Sequence, residues 1–319
     1  MVQHPVIGTE NILTKVDYIP DLSIILVCWN NKDYLEPCLD SLYDSELHYG
    51  FDVVVVDNGS TDGSQQMLRE KFPQVKIIQN DHNVGLGKAS NQGIEATSGR
   101  HVLLLNNDTI VNGPSLDSMV RFLDDNSNTG AVGGKLLNPD GSVQSCYNDF
   151  PSLKEEFLIA TRLGELFWEG YPGKIKGDEI MSVSWMGSAC LMLRRSALDE
   201  VGLLDEEYFI YGDEADLQYR LKKSGWDLFY LPEATTIHYG GKSMNRWGRR
   251  KMVYRGHLLF FQKNYGETRT WLLRMLIAGL SMGKMLIWLA AYVMPWWRDR
   301  AGNELRSNTN VLKMCWNLN

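Results

Sequence analysis

Short runs of apolar residues alternate with amphipathic stretches along the first part of the chain. The apolar runs are Leu22–Cys28, Phe51–Val56, Val75–Ile78 and Val102–Leu105. Uninterrupted apolar runs of this length are typical of strands buried on both faces. Between them, Asp33–Tyr43 and Leu86–Ala96 space their apolar residues as helices do. This alternation predicts an α/β fold with a doubly wound, mainly parallel sheet.

The pattern changes after residue 130. Longer, more mixed segments predict strands at Gly130–Leu137 and Ser182–Leu193, an amphipathic helix at Asp213–Ser224, and two short strands at Trp226–Leu231 and Ala234–His238. A basic, glycine-rich stretch near residues 240–250 marks a boundary. We therefore expect an N-terminal extension (1–20), a domain over 21–245 whose halves divide near residue 130, and a helical C-terminal region (246–319).

The net charge of −7 hides an asymmetry between these regions. Residues 1–245 carry a net charge of −17, whereas residues 246–319 carry +10 and six of the ten tryptophans. A basic, tryptophan-rich segment on an acidic body indicates contact with an anionic surface, either lipid or nucleic acid. Because apolar runs are interleaved with the basic residues, the pattern favours binding to an anionic membrane surface. We expect no nucleic acid as a partner.

Residues 271–297 are the most apolar part of the C-terminal region. Arg274 and Lys284 interrupt them, so the longest charge-free stretch, Met285–Trp297, has 13 residues. A bilayer span needs about 20. The pattern therefore predicts a helix lying in the membrane plane, with a helix packed on the domain as the alternative.

The N-terminal residues and the cysteines bear on the cellular compartment. The first 20 residues lack the pattern of a signal peptide. The five cysteines are scattered and show no CxxC spacing. We expect a cytoplasmic protein that is peripheral on the inner face of the cell membrane.

Polar clusters follow three of the predicted strands, at Trp29-Asn30-Asn31, Asp57-Asn58-Gly59-Ser60 and Asn106-Asn107-Asp108. Ligands bind doubly wound sheets at the carboxyl ends of their strands. Asp57 could accept hydrogen bonds from a base or ribose, or could simply be a turn residue. Asp108 could hold a divalent cation together with a diphosphate, although a further ligand is needed.

Two later motifs add candidate chemistry. Three acidic residues, Asp213, Glu214 and Asp216, open the predicted helix beside an aromatic segment. They either complement the helix dipole or include a general base. His238, followed by Gly240-Gly241-Lys242, could supply a metal ligand and a phosphate-binding loop, or could be a structural histidine.

Gly85-Leu86-Gly87-Lys88 superficially resembles a dinucleotide or phosphate loop. Position 90 is Ser where GxGxxG requires its third glycine, and no GxxxxGK[ST] is present. The segment also does not directly follow a strand. These departures exclude a dehydrogenase and a P-loop nucleotide hydrolase.

Taken in order, the motifs resemble the family 2 glycosyltransferases of GT-A fold, and among them the bacterial rhamnosyltransferase-like enzymes. The resemblance covers roughly residues 20–265. It rests on Ser23-Ile-Ile-Leu-Val-Cys-Trp-Asn30, Val56-Asp-Asn-Gly-Ser-Thr-Asp62, Asn83-Val-Gly-Leu-Gly87 with Asn91, Leu105-Asn-Asn-Asp-Thr109, Trp185-Met-Gly-Ser-Ala-Cys-Leu-Met-Leu-Arg194, the acidic helix and His238-Tyr-Gly-Gly-Lys-Ser243.

The resemblance implies a nucleotide-sugar half at 21–130 and an acceptor or catalytic half at 131–245. Asp108 and His238 would hold Mn²⁺ or Mg²⁺. Glu214 would be the general base, although the family's Glu-Asp order is reversed here, which keeps Asp213 as a candidate. Trp185 and Asp216 would lie on the acceptor side. The implied donor-binding residues are Trp29, Asn30, Asp57, Asn58, Gly85, Gly87, Asn91, Asn107 and Lys242.

The implied activity is inverting, metal-dependent transfer of a sugar from a nucleotide-sugar, with dTDP-rhamnose as first candidate. The acceptor would be a polyprenyl-linked or cell-envelope glycan. Two alternatives stay open at this point: a UDP-sugar transferase of the same fold, and a module that binds nucleotide-sugar or glycan without catalysis. An oligomer is compatible with the sequence.

Overall fold

The computed structural model describes residues 19–161, 163–167, 178–240 and 246–317. Most of the expected N-terminal extension and Lys242 lie outside the described residues. The first half of the domain contains β1 (Leu22–Cys28), α1 (Lys32–Tyr43), β2 (Phe51–Asp57), α2 (Ser64–Lys71), β3 (Lys76–Gln79), α3 (Leu86–Glu95), β4 (His101–Asn106), β5 (Thr109–Ile110) and α4 (Gly113–Asp125).

The second half begins with β6 (Thr129–Leu137) and ends with the long strand β11. Its elements are β6, β7 (Tyr147–Asn148), α5 (Leu153–Thr161), α6 (Gly164–Phe167), β8 (Met181–Ser182), β9 (Trp185–Met186), β10 (Cys190–Arg194), α7 (Arg195–Val201), α8 (Asp213–Lys223) and β11 (Asp227–His238).

One mixed sheet organises both halves. Its strand order is β3-β2-β1-β4-β10-β6-β11-β5, with β8 also paired to β11. Strands β3, β2, β1 and β4 are mutually parallel, β10 runs antiparallel between β4 and β6, and β6 and β11 are parallel. The predicted α/β fold with a mainly parallel sheet is confirmed.

The second half differs in detail from the sequence pattern. The segment predicted as one strand at Ser182–Leu193 forms three short strands, β8, β9 and β10. The two strands predicted around residues 226–238 form one strand, β11, whose register shifts between Leu231 and Thr235. Pro232 lies in that shift, where its missing N–H interrupts regular pairing.

Three helices and a 3-10 turn form the C-terminal region: α9 (Arg246–Asn264), α10 (Glu267–Tyr292), the turn Pro295–Trp297 and α11 (Arg298–Trp316). Buried side chains from the three helices cluster with Ala215 of α8. They include Phe260 and Phe261 of α9, Leu273 of α10 and Val311 of α11. The C-terminal region is therefore packed on the second half of the domain through α9 and the first part of α10.

The second part of α10 has a different surface. Leu286, Ile287 and Val293 are each at least two-thirds exposed, as is Trp296 of the following turn. By length and composition α10 could cross a membrane, with 22% of its most apolar window buried within the protein. Helix α10, with 26 residues, is twice as long as the charge-free stretch of 13 residues, and the predicted in-plane position stays a prediction.

Candidate active site

A cavity of about 230 Å³ opens at the carboxyl ends of β1, β2 and β4. Six of the predicted site residues line this cavity. Glu214 comes from α8, and the other five lie at the strand ends: Trp29, Asn58, Asn107, Asp108 and His238. Phe209, Ile210, Tyr211 and Arg249 form the facing wall. The sheet and the helices that follow it thus bring distant sequence motifs to one cavity.

Asn107 connects the ends of β1 and β4. Its side-chain amide donates to the carbonyl of Val27 at 2.8 Å, and its Oδ1 accepts from Nδ2 of Asn31 at 2.6 Å. The side chain is nearly buried. Asn107 therefore fixes the backbone from which the neighbouring Asp108 reaches the cavity.

His238 is brought beside Asp108 by the pairing of β5 with β11. In that pairing His238 lies opposite Thr109, and the backbone N–H of Tyr239 donates to the carbonyl of Asp108 at 2.9 Å. The His238 Nε2 atom lies 3.4 Å from Oδ1 of Asp108. A carboxylate and an imidazole nitrogen thus face the same point.

Gln144 determines which nitrogen of His238 carries the proton. The Gln144 amide nitrogen donates to Oδ1 of Asn138 and to the carbonyl of His238, which leaves its Oε1 facing Nδ1 of His238 at 2.9 Å. A carbonyl oxygen only accepts, so Nδ1 must donate. The neutral ring therefore presents its Nε2 lone pair to the cavity, where Nδ2 of Asn106 lies 3.3 Å away.

This donor set fits a divalent cation that shares its coordination with a ligand. Among the described residues no three His, Cys, Asp or Glu side chains form a cluster able to hold a metal ion. Mg²⁺ and Mn²⁺ accept a carboxylate, an imidazole and phosphate oxygens, and Mg²⁺ is often bound by one or two carboxylates with substrate phosphates. Asp108 and His238 match that arrangement.

Asp213 and Glu214 occupy different environments at the start of α8. Asp213 is 2% exposed, whereas Glu214 lines the cavity. Burial, followed by the charge and hydrogen bond of Glu214, raises the pKa of Asp213 well above its usual value of 3.8. The neutral form of Asp213 is therefore favoured, while the side chain of Glu214 faces the cavity.

We expected Gly85, Gly87 and Asn91 to line the cavity, but none of them does. They lie instead against the segment that forms the facing wall of the cavity. A Cβ on Gly85, whose φ is +95°, would lie 2.8 Å from the carbonyl oxygen of Phe209. A Cβ on Gly87 would lie 3.4 Å from Oδ2 of Asp213. Asn91 forms two hydrogen bonds with the backbone of Leu204.

Asn30 and Asp57 are not among the residues that line the cavity. Asn30 is exposed, and its Oδ1 accepts from the backbone N–H of Thr61 at 2.7 Å. Asp57 is fully buried; its Oδ2 accepts from Ser60 N–H and from Gln65, whereas its Oδ1 has no hydrogen-bond partner among the described residues. Both residues stabilise the loop after β2, and their expected contacts with a ligand stay predictions.

Trp185 and Asp216, expected on the acceptor side, also lie away from the cavity. The indole N–H of Trp185 donates to the carbonyl of Asp149 at 2.8 Å. Asp216 is buried and accepts from Arg220 and from Asn264 at 2.9 and 2.8 Å. Asp216 therefore joins α8 to α9, and both of its carboxylate oxygens accept a hydrogen bond within the protein.

Several cavity residues were missed by the sequence reasoning, among them Asn31, Tyr211, Arg249 and the supporting Gln144. Asn31 and Tyr211 adjoin motifs that drew attention, but neither residue has a chemical signature of its own. Arg249 was counted only within the basic C-terminal region. Gln144 follows the Asn138-Pro139-Asp140-Gly141 turn and carries no sequence signal at all.

Comparisons with known proteins agree with this geometry. The family model Glycosyl transferase family 2 matches residues 23–202. An N-acetylglucosaminyl-diphospho-decaprenol L-rhamnosyltransferase of Mycobacterium tuberculosis is 31% identical over 243 residues, which are 70% of this chain and 78% of that protein. The low-salt glycan biosynthesis hexosyltransferase Agl10 of Haloferax volcanii is 24% identical over 84% of this chain and 85% of its own length.

Solved structures share the fold. The mannosyltransferase PcManGT from Pyrobaculum calidifontis, in complex with GDP-Man and Mn²⁺, superposes with a TM-score of 0.56 at 15% identity, covering 94% of this chain and 88% of that one. S. aureus TarS 1-349 in complex with UDP gives 0.52 at 17% identity over 82% and 70%. The chain has the GT-A fold expected from its motifs and belongs to glycosyl transferase family 2.

Proposed function

We propose that this glycosyltransferase is an inverting, metal-dependent enzyme that transfers rhamnose from dTDP-rhamnose to a lipid-linked or cell-envelope glycan. The observation that carries the proposal is the position of Glu214, whose carboxylate lines the same cavity as Asp108 and His238. The name of the mycobacterial relative, which describes rhamnosyl transfer to a diphosphate-linked lipid, supports this donor and acceptor class.

In the proposed reaction, the residues at the strand ends bind the nucleotide-sugar donor. Trp29, 45% exposed beside the cavity, offers a ring for the nucleoside, and Asn58 offers an amide. Asp108 and His238 would hold Mn²⁺ or Mg²⁺ beside the donor diphosphate. The bound cation neutralises negative charge on the departing nucleoside diphosphate.

Glu214 activates the acceptor in the proposed reaction. Its carboxylate accepts the proton of the acceptor hydroxyl as that oxygen attacks the anomeric carbon. Asp213 is buried, and burial together with the neighbouring Glu214 raises its pKa, which disfavours a second negative charge in the site. One displacement from the face opposite the leaving group inverts the configuration, and the described side chains of the cavity need form no covalent intermediate.

The cavity takes walls from both proposed halves of the domain. Residues 21–130 supply the strand ends for the donor, and residues 131–245 supply Glu214 and His238. A UDP-sugar donor is the alternative within the same fold. A binding module without catalysis is the other alternative, and the placement of Glu214 beside Asp108 and His238 argues against it.

The C-terminal region supports a peripheral position on an anionic membrane. Around the exposed end of α10, the guanidinium of Arg300 lies over the rings of Trp288 and Trp297, at 5.5 and 5.2 Å from their centroids, and Arg298 lies over Tyr292. Aromatic rings at headgroup depth and arginines beside lipid phosphates are typical of interfacial helices. This end would carry the enzyme to a polyprenyl-linked acceptor at the inner face.

The packing of α11 favours this arrangement over a membrane span. Helix α11 packs antiparallel along α10 and contains six charged residues. A spanning α10 would carry those charges into the hydrocarbon, which costs about 2.5–3.5 kcal/mol for each Arg or Lys at the centre. If only the end of α10 enters the membrane interface, the charged residues of α11 stay in water.

Turnover with defined substrates tests the proposed function. The purified enzyme would be given dTDP-rhamnose, UDP-galactose, UDP-glucose or GDP-mannose, a prenyl-diphosphate-linked N-acetylglucosamine, and Mn²⁺, Mg²⁺ or chelator. We expect rhamnosyl product with metal only, and NMR of the new linkage to show inverted configuration. Nucleotide binding without any transfer would favour the binding module, and transfer from a UDP-sugar alone would overturn the rhamnose assignment.

A further inference from the structure

The cavity holds more acidic than basic groups. Asp108 and Glu214 contribute carboxylates to its walls, whereas Arg249 is the one lysine or arginine among the described residues that line it. A nucleoside diphosphate is itself anionic. A cation bound at Asp108 and His238 would offset part of the negative charge of the diphosphate. A positively charged side chain would offset more of it.

Arg249 carries a charge that the rest of the described protein does not neutralise. Its side chain is exposed, and it forms no ion pair with a described carboxylate. Its guanidinium instead lies over the ring of Tyr211, 5.6 Å from the centroid. By contrast, Arg250 on the same helix is paired with Glu304 at 2.8 Å. The aromatic contact orients Arg249 and leaves its N–H groups available.

The backbone of α9 is held closely against the segment that leads to the base. A Cβ on Gly256 would lie 2.2 Å from the carbonyl oxygen of Tyr211, so only glycine allows this approach. Tyr211 itself has a left-handed backbone, with φ of +66°. Arg249 lies about two helical turns from Gly256. The helix therefore presents Arg249 to the cavity from a fixed position.

We propose that Arg249 binds the diphosphate of the nucleotide-sugar donor and makes α9 a part of the donor site. The inference rests on the proposed function. The planar guanidinium fork matches phosphate oxygens in a bidentate manner, which a lysine ammonium does not. Thus the C-terminal region, expected to serve only the membrane, would also close the donor cavity.

The test measures binding along a phosphate ladder. With the full-length protein and Mn²⁺, calorimetry would follow thymidine, dTMP and dTDP, and the uridine series in parallel. The variant is Arg249→Met, which keeps an apolar stem over Tyr211. Lys251→Met is the matched control, because Lys251 is exposed on the same helix, carries the same charge and lies outside the cavity.

We expect Arg249→Met to weaken diphosphate binding about 10- to 100-fold, the usual loss for a charge-assisted hydrogen bond. Nucleoside binding and melting temperature should stay unchanged, and Lys251→Met should match the wild type. An Arg249→Lys variant should recover only part of the affinity.

Other outcomes separate this inference from the proposed function. Unchanged diphosphate affinity in Arg249→Met, or an equal loss for nucleoside and diphosphate, would overturn the role of Arg249 while leaving the transferase intact. In a parallel titration with farnesyl diphosphate, a loss confined to that ligand would overturn the donor assignment and place Arg249 at the lipid diphosphate of the acceptor instead. A wild-type protein that binds no nucleoside diphosphate would overturn the proposed function and this inference with it.

Discussion

The Nε2 atom of His238 lies 3.4 Å from Oδ1 of Asp108, although Asp108 lies between β4 and β5 and His238 ends β11. The pairing of β5 with β11 sets this distance, since Thr109 and His238 are directly opposed. The hydrogen bond that Nδ1 of His238 donates to Gln144 fixes the imidazole so that Nε2 faces the carboxylate. We therefore expect each member of this group to make a separable contribution to metal-dependent binding.

Replacing Asp108 with Ala should remove the metal-dependent part of nucleoside diphosphate binding. In the presence of Mn²⁺, the variant should bind nucleoside diphosphate with the affinity that the wild type shows in chelator. The imidazole of His238 alone is too weak a ligand to hold the cation. Thermal shift with dTDP and UDP, each with Mn²⁺ and with chelator, measures this. A metal-dependent shift that survives in Asp108→Ala would place the cation elsewhere.

Replacing Gln144 with Leu should lower the apparent affinity for Mn²⁺ in the presence of nucleotide by about 10- to 100-fold, as loss of partners that orient ligands does. The substitution frees the imidazole to rotate and to change tautomer. Metal titration at constant dTDP measures the effect. Gln66→Leu, at an exposed position on α2, is the control. Equal Mn²⁺ affinities in Gln144→Leu and the control would contradict the orienting role.

Glu214→Gln should leave nucleotide binding unchanged and reduce transfer by about 10²- to 10⁴-fold, the usual contribution of a general base. Asp213→Asn should keep much more activity, because Asp213 is buried away from the cavity surface and the amide preserves its shape. Steady-state turnover and calorimetry on both variants separate the roles. The reverse result, with Asp213→Asn inactive and Glu214→Gln active, would make Asp213 the base.

Asp213 should also make stability depend on pH. Its pKa is raised in the folded protein, so between pH 3.8 and that higher pKa the native state binds more protons than the unfolded state. Stability from this group is thus present below pH 3.8 and is lost as the pH rises. Asp213→Asn should therefore raise the melting temperature near pH 7 and have little effect near pH 4. Asp33→Asn, an exposed change in α1, controls for net charge. A gain equal at both pH values would show that Asp213 is ionised alike in both states.

The exposed end of α10 should carry membrane binding. Ile287→Glu with Val293→Glu removes two apolar side chains from the interface, and each is worth roughly 1.5–3 kcal/mol when buried. The double variant should no longer pellet with vesicles containing anionic lipid. Leu166→Glu, at an exposed apolar position on α6, should pellet normally. Wild-type protein released by a high-salt or alkaline wash would fit a peripheral helix, whereas resistance to both washes would indicate a span.

The sequence determined strands β1 to β4 of the first half, because their apolar runs need no knowledge of distant partners. It also indicated the motifs at the strand ends and the family to which they belong. Its bounds failed where pairing is short or irregular, as at β8, β9 and β10, since strands of two residues are stabilised by neighbours and not by their own pattern.

Only the tertiary structure decided which polar residues face the cavity. Asn91 and Asp216 have the residue types of ligand contacts, yet their side chains form hydrogen bonds with Leu204 and Asn264. Buried polar atoms must find hydrogen-bond partners, and these partners come from segments far along the chain. The sequence also kept Asp213 as a candidate beside Glu214, the base that the resemblance implies, and only the structure shows that Asp213 is buried whereas Glu214 lines the cavity.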